Sequence, residues 1–102
     1  MKKNLEFVEK TVKGYEEEIC RVSDSVWDMA EVSFCEKNSA KLLMDELEKK
    51  GFTITCPIGD MPTAFSASYG SGHPVIGFLA EYDALVGLSQ VADSTEQMPV
   101  TE

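Results

Sequence analysis

The stretch NSAKLLMDELEKKGFTITC, residues 38–56, decides the fold, because the spacing of its apolar residues changes part-way along. Its first part carries apolar residues at steps of three and four, the period of a helix that is buried on one face: Ala40, Leu43, Met44 and Leu47. Its last part alternates apolar residues with threonine, the period of a half-buried strand: Phe52, Ile54 and Cys56. Gly51 lies between the two parts, at the position where helix ends favour glycine. A helix over residues 38–50 followed by a strand predicts an α/β protein.

A second apolar pattern precedes this stretch and predicts a long helix. Seven residues recur at alternating steps of three and four, and we call them the apolar stripe: Leu5, Val8, Val12, Tyr15, Ile19, Val22 and Val26. The stripe predicts an amphipathic helix that lies on its own domain. A coiled-coil seam has the same spacing and is the alternative.

Two more strands are expected after residue 56. Residues 63–69 alternate again, whereas residues 75–80 form a nearly continuous apolar run, which is typical of a strand covered on both faces. The composition of residues 70–74 is that of a turn and predicts a hairpin between these strands. The predicted order is two N-terminal helices followed by three strands, with the most buried strand last.

The composition argues against two classes of partner. The chain has 102 residues with 18 acidic and 9 basic side chains, so its formal net charge is −9. Nucleic acids and anionic membranes attract clusters of Lys and Arg, and this sequence has none. It also has no apolar run of about 18 residues and no apolar signal region after its first lysines. We expect one cytoplasmic domain with no nucleic-acid or membrane partner.

The cysteines and the histidine form neither a disulfide framework nor a zinc-finger pattern. Cys20, Cys35 and Cys56 are odd in number and widely spaced, which predicts free thiols buried as small apolar side chains. His73, the sole histidine, lies in the predicted turn and is expected to be exposed to solvent.

Two carboxylates follow the strand that we expect to be the most buried. Glu81 and Asp83 are two residues apart, so they share one face as long as the strand continues. In open α/β sheets, ligands and catalytic groups collect at the carboxyl ends of the strands. The spacing alone is more typical of an ordinary strand end with solvated acids.

Four segments in a fixed order carry a family resemblance that covers about residues 10–98. They are Trp27–Glu31 with Phe34 and Glu36, Met61–Phe65, Tyr69–Gly72 before Pro74–Ile76, and Glu81–Leu85 with Gly87–Gln90. Together they resemble the aminobenzoyl-glutamate utilization protein B branch of the aminoacylase/carboxypeptidase superfamily of metal-dependent hydrolases. Val86 and Ala80 depart from the residues usual in that family, which are proline and glycine.

The resemblance implies the N-terminal fragment of an amidohydrolase. Residues 1–88 would form the first part of a zinc-peptidase-like catalytic domain with a twisted mixed sheet, and residues 89–102 a polar tail or a truncated active-site loop. The implied reaction is hydrolysis of an amide bond in N-acyl amino acids, aminobenzoyl-glutamate or small peptides, with zinc or manganese bound by the full-length family members.

The resemblance also assigns roles to the acid pair. Asp83 matches the aspartate that orients a metal ligand, and Glu81 stands where the wider superfamily has a metal-binding histidine. The Gly-His-Gly-Cys-Gly-His-Asn stretch of full-length relatives does not occur in this sequence. We therefore expect the chain alone to bind no metal and to be inactive.

The expected partners, besides the small amide substrate, are a further copy of the chain or a separately encoded C-terminal half that completes the site. A stand-alone binding or assembly module is the alternative, and it would use the apolar stripe or an open sheet edge.

Overall fold

The computed structural model describes residues 1–100, and within them it has three helices and two strands. In chain order these are α1 (Lys2–Gly14), α2 (Glu16–Met29), α3 (Lys37–Lys49), β1 (Thr53–Thr55) and β2 (Ser66–Ser68). The prediction of an α/β protein is confirmed, while the number and arrangement of its elements differ from the prediction.

The predicted first helix is two helices, because the chain is interrupted at Tyr15. Tyr15 has φ −102° and ψ 5°, and its N–H donates to the carbonyl of Val12 at 3.1 Å, which is a tighter turn than that of an α-helix. Two local features favour a break here. Gly14 has a low helix propensity, and Glu16–Glu18 place negative charge at the start of α2, where the helix dipole favours it.

The end of α3 follows the sequence prediction. Gly51 has a φ of +93°, a left-handed conformation that glycine adopts without strain. The N–H of Gly51 donates to the carbonyl of Glu48 at 3.0 Å, and the N–H of Phe52 donates to the carbonyl of Leu47 at 3.1 Å. This pair of bonds is a Schellman motif, and it turns the chain from α3 into β1.

β1 and β2 form an antiparallel pair in which Ile54 lies opposite Ala67. These two strands fall within the predicted ones but are shorter. The rings of Phe52 and Tyr69 flank the pair, with centroids 5.1 Å apart. The antiparallel pairing therefore joins the first two predicted strands, and not the second and the third.

The prediction of a third, buried strand over residues 75–80 is wrong for the described chain. Its large apolar side chains are 74–98% exposed: Val75, Ile76, Phe78 and Leu79. A strand covered on both faces needs a hydrogen-bonded neighbour and two covering layers, and residues 1–100 provide neither for this run. The expected twisted mixed sheet is likewise not formed within these residues.

The apolar stripe is covered over only part of its length. α2 packs against α3, and two ion pairs join them, Arg21–Glu46 at 3.0 Å and Lys50–Glu18 at 2.9 Å. Every residue of α1 is exposed, so the expectation that the whole stripe lies on its own domain is wrong for α1. The reason is that α3 ends beside Tyr15, where the Lys50 Nζ atom lies 5.1 Å from the ring centroid, and reaches no further along the stripe.

The predictions on the cysteines and the histidine are confirmed in part. The three cysteines are free thiols, as predicted, but all three are exposed, so the prediction of burial is wrong. His73 is exposed in a bend, as predicted. In the described part of the chain, no helix is both long and apolar enough to cross a bilayer.

The residues after Leu88 form a loop held by Gln90. The Gln90 side chain donates to the carbonyl of Glu96 at 2.7 Å and accepts from the N–H of Met98 at 2.9 Å. The indole N–H of Trp27 donates to the backbone carbonyl of Gln90 at 2.6 Å, which joins this loop to α2. Residues 101 and 102 of the predicted tail lie outside the described residues.

Candidate functional site

Glu81 and Asp83, the two predicted site residues, lie on a segment without regular secondary structure, and both are exposed. The segment belongs to no helix and no strand until Ala84, which forms an isolated parallel bridge with Val32. The two carboxylates are therefore accessible to solvent and to any ligand. Their catalytic roles stay predictions.

Two hydrogen bonds attach this segment to the rest of the chain, one on each side of Asp83. The Tyr82 hydroxyl donates to the backbone carbonyl of Thr63. The N–H of Ala84 donates to the backbone carbonyl of Glu31 at 2.8 Å. The Tyr82 ring also packs against Phe65, with ring centroids 6.2 Å apart. Asp83 is thus held between two anchored neighbours.

Both anchors lead to a group that we call the buried cluster, which consists of Glu36, Ser39, Ala40 and Thr63. These side chains are the most buried among residues 1–100, with exposures of 8%, 0%, 2% and 8% in that order. The Thr63 hydroxyl donates to the Glu36 carboxylate at 2.8 Å. A buried carboxylate without a hydrogen-bond partner is unfavourable, so this bond helps to stabilise Glu36 in its buried position.

Glu31 caps the start of α3 from outside the helix. Its carboxylate accepts the backbone N–H of Ser39 at 2.6 Å and both the backbone and side-chain N–H of Asn38 at 3.1 Å. The first N–H groups of a helix have no partner within the helix, and a negative charge there is favoured by the helix dipole. The same residue therefore stabilises α3 with its side chain and holds Ala84 with its backbone.

The electrostatics of the cluster follow from these contacts. Desolvation alone would raise the pKa of Glu31, but the N–H groups of Ser39 and Asn38 outweigh it and hold the pKa below its usual value. Desolvation is likewise outweighed at Glu36, whose pKa is lowered by its own backbone N–H and by the Thr63 hydroxyl. Burial, and next the charge of Glu36, raises the pKa of Tyr82. Near neutral pH the carboxylates accept hydrogen bonds while the phenol keeps its proton to donate.

The described residues do not fit a complete metal site. Across residues 1–100, no three side chains of His, Cys, Asp or Glu come together as metal ligands. A hydrolytic zinc site needs about three protein ligands and an open position for water. Glu81 and Asp83 offer two carboxylates at most, so the chemistry open to them here is accepting hydrogen bonds and pairing with a cation.

The sequence analysis gave no role to Thr63, and it quoted Glu31, Glu36 and Tyr82 within segments of the resemblance without assigning them to the site. One signal was present. Glu31 and Glu36 are two acids placed shortly before the first residues of a helix, where the helix dipole favours negative charge. The pairing of Thr63 with Glu36 bridges 27 residues and has no local sequence signal.

A comparison with known proteins tests the family resemblance. The chain is 41% identical over 101 residues to one of the subunits of p-aminobenzoyl-glutamate hydrolase from Escherichia coli (strain K12). The predicted resemblance is confirmed. The similarity covers 99% of this chain and 21% of the hydrolase subunit, so the chain spans about one fifth of that relative's length. No protein-family model and no solved structure matches the chain.

Segments that carried the resemblance to the hydrolase meet in the fold. Glu31 and Glu36 come from the first, Thr63 from the second and Tyr82 from the fourth. Residues distant in sequence thus form one connected group that supports the segment with Glu81 and Asp83.

Proposed function

We propose that this chain forms part of an amidohydrolase that acts on p-aminobenzoyl-glutamate or a related N-acyl amino acid. The similarity to the p-aminobenzoyl-glutamate hydrolase of Escherichia coli over nearly the whole chain carries the proposal. In the proposed reaction, water adds across the amide bond, so that p-aminobenzoate and glutamate are released. N-acyl amino acids and small peptides are the wider substrate class.

Asp83 and Glu81 are the residues that we assign to the proposed site. Their exposed carboxylates lie on a segment that is anchored beside Asp83 on both sides. We assign to Asp83 the role of orienting a group that the rest of the enzyme brings, and to Glu81 a contact with the same group. The metal expected for the full-length enzyme, zinc or manganese, would take its ligands from outside residues 1–100.

The proposed function includes a partner. The name of the relative describes it as one subunit of a hydrolase, which supports a multi-subunit enzyme. We propose that the remaining four fifths of the enzyme, on the same or another polypeptide, covers the apolar surfaces that are exposed in this chain. Val75 and Phe78, which precede the two acids and are 81% and 94% exposed, are the first candidates for such cover.

A chimera tests this function. The segment of the Escherichia coli relative that aligns with this chain is replaced by residues 1–102, and release of p-aminobenzoate is measured with the natural partner subunits present. We expect the chimera to be active and Asp83→Asn to lower its kcat by about 10- to 100-fold, as removal of a residue that orients a ligand does. Glu81→Gln is expected to have a smaller effect.

The matched control for this chimera is Asp60→Asn, the same substitution at an exposed loop aspartate. It is expected to leave kcat unchanged. A soluble, folded chimera without activity would contradict the proposed function. An active chimera in which Asp83→Asn behaves like Asp60→Asn would remove the role that we assign to Asp83.

A second candidate function is a stand-alone assembly module, and one observation favours it. Four residues of the apolar stripe are more than half exposed: Leu5, Val8, Val12 and Ile19. Such a surface is characteristic of interaction sites. Sedimentation of the purified chain over a range of concentrations distinguishes the candidates, because a monomer at all concentrations argues against assembly through this surface.

A further inference from the structure

We propose that Tyr82 is a positioning residue, which fixes Asp83 through a chain of hydrogen bonds that runs from Glu36 through Thr63. This inference rests on the proposed function, because that function gives Asp83 the role of orienting another group. It adds to that function the residues that set the geometry of the site.

The first step of the argument is the continuity of the chain of bonds. The Glu36 carboxylate accepts from the Thr63 hydroxyl at 2.8 Å, and the carbonyl of the same Thr63 accepts from the Tyr82 hydroxyl. Glu36 and Thr63 are each 8% exposed. Water therefore competes little for these groups, and a hydrogen bond to an ionised carboxylate is stronger than one between neutral groups.

The second step concerns the backbone on the other side of Asp83. Ala84 donates its N–H to the carbonyl of Glu31 at 2.8 Å, and it pairs with Val32 in a parallel bridge. Successive Cα atoms are about 3.8 Å apart, so Asp83 lies within one residue of two fixed points. Few backbone conformations of Asp83 satisfy both anchors.

The third step is the contrast with Glu81. Glu81 has the anchored Tyr82 on one side only, and the residues before it, Phe78 and Leu79, are 94% and 98% exposed. Asp83 is therefore the better ordered of the two acids. Loss of the Tyr82 hydroxyl removes one of the two anchors of Asp83 and keeps its carboxylate, which is then less well positioned.

Amide hydrogen exchange on the full chain is the first test. Tyr82→Phe keeps the ring beside Phe65 and removes the hydroxyl, so exchange at the Ala84 amide should become about five- to tenfold faster, the effect of losing one hydrogen bond. Tyr69→Phe is the matched control, because Tyr69 is 71% exposed and lies outside the chain of bonds. An unchanged Ala84 exchange rate in Tyr82→Phe would overturn the inference.

Kinetics of the chimera described above are the second test. Tyr82→Phe is expected to lower kcat about tenfold with KM within twofold, because the carboxylate is present but less often in place. Thr63→Ser keeps the hydroxyl and the carbonyl and should retain kcat, whereas Thr63→Val should lower it. A purely structural role for Tyr82 would leave kcat of the folded chimera unchanged, and this result would overturn the inference.

The two tests separate failure of the inference from failure of the proposed function. An inactive chimera contradicts the proposed function, and hydrogen exchange still decides whether Tyr82 and Thr63 hold Asp83. An active chimera with unchanged kcat in Tyr82→Phe contradicts the positioning role alone.

Discussion

α1 and the start of α3 are opposites in what they bury. α1 carries large apolar side chains, and all of its residues are exposed. The start of α3 contains the buried Ser39 and Ala40, and the two acids Glu31 and Glu36 precede it; together with Thr63, which contacts Glu36, this region holds all of the most buried residues of the described chain. The usual arrangement, apolar inside and polar outside, is thus reversed between these regions.

The comparison shows which of the two regions has its side chains covered and paired within the described chain. The buried cluster has its polar groups paired, and in the described chain no buried side-chain nitrogen or oxygen lacks a partner. The apolar side chains of α1 are not covered in this way. A further surface that covered them would contribute about 0.8 kcal/mol for each buried CH2 group. The four predictions that follow test this contrast, from the largest expected effect to the smallest.

The largest effect is expected from overfilling the buried cluster. Ala40 is 2% exposed, so Ala40→Leu should lower the free energy of unfolding by about 1–3 kcal/mol, because the added atoms have no space. Urea denaturation followed by helical circular dichroism measures it. Ala80→Leu, at an exposed position, is the control and should change stability by less than about 0.5 kcal/mol. Equal effects at both sites would mean that the cluster is not closely packed.

Two glycine substitutions should act in opposite directions. Gly51→Ala should destabilise the chain by about 1–2 kcal/mol, because its φ is +93°, a backbone conformation that residues with a Cβ rarely adopt. Gly14→Ala should raise the free energy of unfolding by about 0.5–1 kcal/mol, since alanine favours a helix and a Cβ there meets no atom within 4 Å. Thermal unfolding of both variants measures the pair. The same sign for both would contradict the description of these two helix ends.

Low pH should reduce the stability that the carboxylates at the start of α3 contribute. The pKa of Glu31 and that of Glu36 are below the ordinary value of 4.5, so their contribution to stability is complete above that pH. It is lost as the pH falls through the lowered pKa values of the folded state. Glu31→Gln should therefore weaken the pH dependence of stability below pH 4.5, as measured by urea denaturation at several pH values.

The control for the acid experiment is Glu9→Gln on α1, an exposed glutamate that caps no helix. Its variant should keep the pH dependence of the unaltered chain. If Glu31→Gln and Glu9→Gln give the same profile, the carboxylate of Glu31 does not stabilise α3.

The smallest effect on stability is expected on α1. Val8→Lys and Val12→Lys, at 53% and 57% exposure, should change the free energy of unfolding by less than about 0.5 kcal/mol. They should reduce any concentration-dependent association of the chain, because they place charge on the apolar stripe. Urea denaturation and sedimentation of the double variant measure the two outcomes, and a large loss of stability would mean that α1 packs against the domain.

The sequence predicted the elements that depend on local signals. The periodicity of residues 38–50 and the glycine at position 51 were sufficient for α3 and its end, and the alternation around Ile54 was sufficient for β1. The interruption at Tyr15 was missed, because the apolar spacing continues through Gly14 without a change. Local propensity decided the break there, and periodicity alone does not report it.

The remainder depends on contacts between distant residues. The run at residues 75–80 has the pattern of a buried strand, but pattern alone does not supply the neighbours that a strand requires. The site was predicted only as far as Glu81 and Asp83. The bond from Tyr82 to Thr63 and that from Ala84 to Glu31 join segments 19 and 53 residues apart, and no spacing rule reaches that far.

The bond from the Trp27 indole to the carbonyl of Gln90 also gives the protein an intrinsic fluorescent probe. Trp27 is the sole tryptophan, so all indole emission comes from one place on α2. Withdrawal of the loop at residues 90–98 would break that bond and change the solvent around the ring, which shifts the emission wavelength. Fluorescence therefore follows the contact between this loop and α2, without any added label.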